Sequence, residues 1–227
     1  MRRIVVLLSI LTVVAAVSAA AMDNEQMFNQ YSQWASGGDL FEIGWASDTY
    51  TLNQKISADG TITGTSTYSS WGLNVLGVFG HPIGFFFEGS VLFPQSANFT
   101  ETDSVTGDTS TSSISSWSSA GYSPSLTANG IVGIAYYTGN DSLKLILGGG
   151  LGFMLFQMDN NNNPADNIDQ AEIGPGLFAS GILMFGGGVG VTVGVHFVYL
   201  ADEASSTAPI LTGGTDVTLV IGLVFTF

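Results

Sequence analysis

The chain has 227 residues, 30 of them glycine and none cysteine, with four Lys and Arg against 18 Asp and Glu. A formal net charge of −14 leaves no basic surface to neutralise phosphates, which excludes nucleic acid as a partner. Without cysteine there are no disulfides, thiolate metal sites or cysteine nucleophiles, and a mean hydropathy of +0.37 is too apolar for a disordered chain.

Residues 1–19 read as a secretory signal peptide. Arg2 and Arg3 precede an apolar run from Ile4 to Val17, and Val17-Ser18-Ala19 supplies small residues for cleavage. The run is short for a membrane span, which needs about 20 residues. Once it is removed, only Lys55 and Lys144 remain as basic residues. Residues 20–38 read as a periplasmic leader. Met27, Phe28, Tyr31 and Trp34 have the spacing of a short amphipathic helix, and a disordered leader fits equally well.

From residue 39 onward the pattern has period two. Trp71, Leu73, Val75, Gly77 and Phe79 share one face; Val217, Leu219, Ile221, Leu223, Phe225 and Phe227 share another. Eight such segments lie near 39–48, 70–79, 85–93, 126–137, 142–156, 173–185, 189–200 and 216–227. Each has about the ten residues that a tilted membrane strand requires. Residues 174–200 carry no Asp, Glu, Lys or Arg and could be mistaken for a membrane helix. Their glycines and the strict alternation from Val189 to Tyr199 argue for strands instead.

The connections alternate between short turns (80–84, 138–141, 186–188) and long polar loops (49–69, 94–125, 157–172, 201–215). A water-soluble sandwich would be polar on its outward face, whereas one face here is almost wholly apolar. The expected fold is therefore all-β: an eight-stranded antiparallel up-and-down transmembrane barrel over 39–227 with long external loops. The first loop is expected to be a tall hairpin turning at Asp59-Gly60. The second, rich in Ser and Thr with Trp117 and Tyr122, reads as a mobile surface-contact segment. Aromatic residues fall in two rings, Phe41, Phe79, Phe85, Tyr136, Phe185, Phe225 and Phe227 below and Trp71, Phe93, Phe153 and Tyr199 above.

Parity also assigns the interior. Glu42, Asn74, Glu88, Lys144 and His196 are the expected lumen-lining polar residues, with Asp216, among apolar neighbours and inward glycines that would leave space. An unpaired buried charge is costly, so Lys144 is expected either to pair with Glu42 or Glu88, or to sit low enough to be hydrated. Nothing points to an enzyme. His81 lies in a turn before Pro82, His196 is a lumen residue, and no Gly-x-Ser-x-Gly elbow occurs. The run Asp159, Asn161, Asn163, Glu172 lacks the glycine and spacing of a calcium loop. No metal and no cofactor is expected.

On these residues the chain resembles bacterial eight-stranded outer-membrane barrels, the OmpA, OmpX and OmpW group. The most specific piece is the terminal strand, where Ile221, Leu223, Phe225 and Phe227 look like the signal that such proteins present to the barrel-assembly machinery. The resemblance implies an outer-membrane location in a diderm bacterium, with lipid and that machinery as partners. An apolar, glycine-relieved lumen is similar to the OmpW branch. That implies a narrow channel or binding cavity for small hydrophobic molecules. The alternative is a structural or surface-interaction barrel with a plugged lumen and no transport.

Overall fold

The structure, a computed structural model, describes residues 39–57, 59–115, 121–140, 142–163, 168–200 and 210–226. The signal and leader segments, Trp117 and Phe227 lie outside the described residues. Among the described residues nine strands form one antiparallel sheet: β1 (Leu40–Lys55), β2 (Ile62–Phe79), β3 (Ile83–Asp103), β4 (Thr109–Ile114), β5 (Tyr122–Gly139), β6 (Leu143–Asn160), β7 (Ile168–Gly186), β8 (Val189–Leu200) and β9 (Ile210–Thr226). Each of eight strands pairs with its neighbours in order, and β1 closes the ring on β9, with Phe41 opposite Phe225 and Trp45 opposite Ile221. Closure satisfies the backbone polar groups along the wall, the condition for a sheet to stand in hydrocarbon. β4 is not a stave; it pairs only with the upper end of β3, Ala97 to Thr102.

Alternation sorts the side chains. Leu177, Ile221 and Ile83 stand outward with about two-thirds of their surface exposed, as part of an apolar belt around the barrel. Trp45 stacks on Trp71 at 4.6 Å between ring centres, and Trp71 meets Phe93 at 5.1 Å, forming an aromatic row along the top of that belt. Such rows sit where acyl chains give way to head groups.

The strands are longer than the hydrophobic pattern shows. β1 runs on to Lys55 rather than ending near residue 48, and β3 reaches Asp103 rather than ending near 93. Above the belt both faces of a strand are partly polar, so the apolar alternation fades while the pairing continues. The second loop is thus corrected: much of it is the upper part of β3 and all of β4, not an irregular segment. The hairpin between β1 and β2 does turn at Asp59-Gly60, with Gly60 at φ +72°.

β1 to β4 together build a wall that rises above the aromatic row. A bulge between Ser69 and Ser70, where β3 carries the extra residue Gln95, shifts its parity so that Asn98, Thr100 and Thr102 face outward. In register beside them stand Thr67, Thr65 and Thr63 of β2, and Ser113, Thr111 and Thr109 of β4. Thr51, Asn53 and Lys55 of β1 complete the same rows. The inner face of this wall is apolar in its lower part, where Leu52, Tyr68 and Ala97 are buried in the core with Phe99 and Ile114 packed against it, and polar above, where Gln54, Glu101 and Ser110 stand in register.

Candidate functional site

The lower part of the barrel interior is filled with side chains. At the lower end Leu40, Val78, Ile146, Ile182 and Val224 are buried, and Phe86 stacks on Phe178 at 5.6 Å. The inward glycines do not leave space as expected, because larger side chains from facing strands occupy it. A Cβ on Gly148 would lie 2.7 Å from the Phe86 ring, and one on Gly152 would lie 2.5 Å from Val198. Glycine here gives room to a neighbour rather than to a passage.

Above this layer lies a polar girdle. Thr192 bonds Ser180 at 2.6 Å and donates to Glu42. Asn74 donates to Glu88 and, at 3.0 Å, to Ser90. His196 Nδ1 stands 2.6 Å from Glu88 Oε2, and its Nε2 stands 3.7 Å from Asp216. Asn129 donates across the lumen to Thr218 at 2.7 Å, to Asp216 at 2.9 Å and to Asp48 at 3.2 Å. Thr218 in turn donates to Asp48 at 2.9 Å. His196, Asp216 and Thr218 have no exposed surface. The girdle therefore draws on β1, β2, β3, β5, β7, β8 and β9. Both ring nitrogens of His196 face carboxylates, so neither is free to activate a hydroxyl.

Of the residues singled out from sequence, Glu42, Asn74, Glu88 and His196 are brought together here, and Lys144 is not. Lys144 is the second residue of β6, half-buried near the lower mouth, with its ammonium 5.3 Å from the centre of the Tyr137 ring. Among the described residues it forms no ion pair with Glu42 or Glu88. The reason is positional: Glu88 sits higher and is already paired with His196. Asp48, Asn129 and Thr218 belong to the girdle and were missed, although inward parity on a polar residue marks each of them. On the terminal strand, Ile221 and Leu223 face outward beside Val193 and Val191 of β8, and Phe225 stands beside Val189.

Above the girdle the lumen turns aromatic. Tyr68 packs on Phe156 at 4.4 Å and on Tyr50 at 5.5 Å, with Leu52, Met158 and Leu200 buried around them. At this height the wall has a gap. The β3–β5 ladder ends at Val91 opposite Ala128, yet both strands continue upward. β3 then turns to β4 for its partner, from Ala97, so, among the described residues, 92–96 of β3 have no strand partner on that side. Continuing the register sets Pro94 opposite Ser125, next to Pro124. Proline has no N–H to give a ladder and is confined to edges and bulges. Both strands also bulge here, β3 at Gln95 and β5 between Pro124 and Leu126. Gln95 turns its amide back to the Phe93 carbonyl at 2.9 Å. Inside the gap lie the buried Leu92 and the hydroxyls of Ser70 and Thr127, which have no hydrogen-bond partner among the described residues.

No family model and no curated protein matches the sequence. Solved structures do match. The outer membrane protein OprG of Pseudomonas aeruginosa superposes with a TM-score of 0.52 at 14% identity, covering 84% of this chain and 96% of that one. The fold is that of an eight-stranded outer-membrane β-barrel. The attachment invasion locus protein Ail of Yersinia pestis also matches, at 10% identity and a TM-score of 0.45, over 84% of this chain and 99% of that one. The polar girdle and the gap between β3 and β5 are thus features of the wall and lumen of an outer-membrane-type barrel.

Proposed function

We propose that this chain is an integral outer-membrane protein that takes small hydrophobic molecules from the outer side into the bilayer through the gap between β3 and β5. In this reading residues 1–19 direct export and are removed, and the terminal strand is read by the barrel-assembly machinery. The gap carries the reading. The packed lower lumen and the polar girdle leave no straight aqueous path, while the aromatic interior above them reaches the gap. An apolar molecule that enters there leaves sideways, into lipid. The two unpartnered hydroxyls of Ser70 and Thr127 suit a ligand with an apolar body and one hydrogen-bonding group, since a buried polar atom gains from a partner.

Reconstitution in liposomes tests this. The expected result is no ion conductance, together with faster uptake of a hydrophobic fluorophore than in empty vesicles. Cysteines placed at Phe93 and Leu126, joined by a short thiol linker across the gap, should return uptake to the empty-vesicle rate, and cleaving the linker should restore it. Uptake that is unchanged by the protein would overturn the reading in favour of a plugged structural or surface-interaction barrel.

A further inference from the structure

We infer that the outward face of the wall built by β1 to β4 docks the sugar part of the glycolipid that forms an outer leaflet. This rests on the outer-membrane reading above, and it assigns a second surface, separate from the gap and the lumen.

Position comes first. The wall begins directly above the row of Trp45, Trp71 and Phe93 and faces sideways, away from the barrel axis. It is continuous with the lipid-facing belt, so what it touches is whatever stands on the acyl chains at head-group height. In a glycolipid leaflet that is saccharide.

Chemistry comes second. One row runs Asn53, Thr65, Thr100, Thr111 across four strands, and another runs Thr63, Thr102, Thr109 beside Lys55. Hydroxyls and carboxamides donate and accept, which matches neutral polyols. Phosphate recognition wants Arg or several Lys, and this face holds Lys55 as its one cation. The face therefore suits the sugar and not the phosphate of a glycolipid.

Preorganisation comes third. Neighbouring strands stand about 4.8 Å apart and outward residues along a strand about 6.7 Å apart, so three rows on four strands make a regular patch about 14 Å by 13 Å. Thr65 donates to Asn53 at 3.1 Å, while Thr51 and Thr67, and Thr102 and Thr109, approach at 3.4 Å. β-branched side chains are stiff at χ1, and the lower rows of the wall are held from behind by Tyr68, Phe99 and Ile114. A saccharide laid on it freezes little additional motion. Strand propensity alone favours Thr at exposed positions. It does not account for outward Thr and Asn kept in register across four strands above the belt.

The test uses the full chain in three lipids: phospholipid, a glycolipid with its saccharide intact, and the same glycolipid trimmed to its acylated, phosphorylated anchor. The thermal midpoint is read from loss of the compact, heat-modifiable band on gels. Insertion in phospholipid checks the membrane reading by itself; a chain that inserts in none of the lipids sinks that reading rather than this one. The inference predicts a higher midpoint in intact than in trimmed glycolipid. The double variant Thr65→Val, Thr100→Val should lose at least half of that difference while keeping its phospholipid midpoint. Should the double variant fail to insert, Thr111→Val on the peripheral β4 serves in its place. Equal midpoints in intact and trimmed glycolipid, or a variant that retains the whole difference, would overturn it. So would equal stabilisation by free oligosaccharide, which makes the ligand a soluble glycan, or cross-linking through this face, which makes it a second copy of the chain.

Discussion

At the scale of single residues, the decisive feature is how His196 is held. Four carboxylates, Glu42, Asp48, Glu88 and Asp216, are buried in the lumen at different heights, and the imidazole, set between Glu88 and Asp216, is the one basic side chain among them. Removing a partner from a buried pair costs about 3–5 kcal/mol, because the other charge stays behind in a poor solvent for it. His196→Ala should lose stability by that amount, read as a shift in the urea midpoint in detergent micelles. Restoring uncharged partners with Glu88→Gln on top of it should recover part of the loss, and a His196→Ala midpoint within 1 kcal/mol of wild type would contradict the pairing. Gly148→Val is the apolar counterpart. Its side chain would strike the Phe86 ring, an overpacking worth about 1–3 kcal/mol. Adding Phe86→Leu should relieve it; a loss that persists would place the strain elsewhere.

These residues also show how far the sequence could be read. Inward parity alone marked Glu42, Asn74, Glu88 and His196, because a period of two is a local property. Their contacts were not legible. Glu88 and His196 lie 108 positions apart on β3 and β8, and the stagger of the closed barrel decides which inward residues share a height. For want of that information Lys144 was left between a carboxylate partner and a hydrated place near the lower mouth, where the structure puts it half-buried beside Tyr137. The glycines misled for the same reason, since the side chains that fill the space beside them come from facing strands.

At the scale of elements, the hairpin between β1 and β2 makes a prediction about pH. Hydrogen bonds with the Ser57 hydroxyl, and from the Thr61 N–H at 3.1 Å and its hydroxyl at 2.8 Å, hold the Asp59 carboxylate down at about 2. An unfolded Asp titrates near 3.9. The folded turn therefore binds its proton less readily than the open chain does. Its stabilising effect is complete above about pH 4 and is lost as pH falls through about 2. Amide exchange at Thr61 and Ile62 should stay protected at pH 5 and open progressively below pH 4, and Asp59→Asn should remove that dependence. A flat profile in the wild type would show that the carboxylate does not hold the turn. This hairpin was legible from Asp-Gly between strands. The gap between β3 and β5 was not, although Pro94 and Pro124 were in plain view. A proline in a strand pattern signals an edge, but two of them become one gap only once the register sets them side by side.

At the scale of the whole molecule, hydropathy and charge are separated by place. Apolar residues cover the outside of the staves, the described carboxylates sit in the lumen or at the two ends of the barrel, and glycine lets large side chains fill a narrow barrel. Such an inside-out arrangement is stable only where the outer face meets hydrocarbon, and depth then sets the cost of a charge. An arginine on the lipid face costs about 2–4 kcal/mol at the bilayer midplane and about 0–1 near the interfaces. Leu177 stands outward on β7 between Ile173 above and Leu183 below, in the middle of the belt. Thr106 is exposed in the turn between β3 and β4, beyond the aromatic row. Leu177→Arg should therefore destabilise the inserted barrel by about 2–4 kcal/mol and Thr106→Arg by almost nothing, measured by reversible unfolding from phospholipid vesicles. In a detergent that wraps the belt loosely and admits water, the gap between the two variants should narrow. If the two variants cost the same in lipid, the apolar face is not a membrane face, and a partner protein would have to cover it instead.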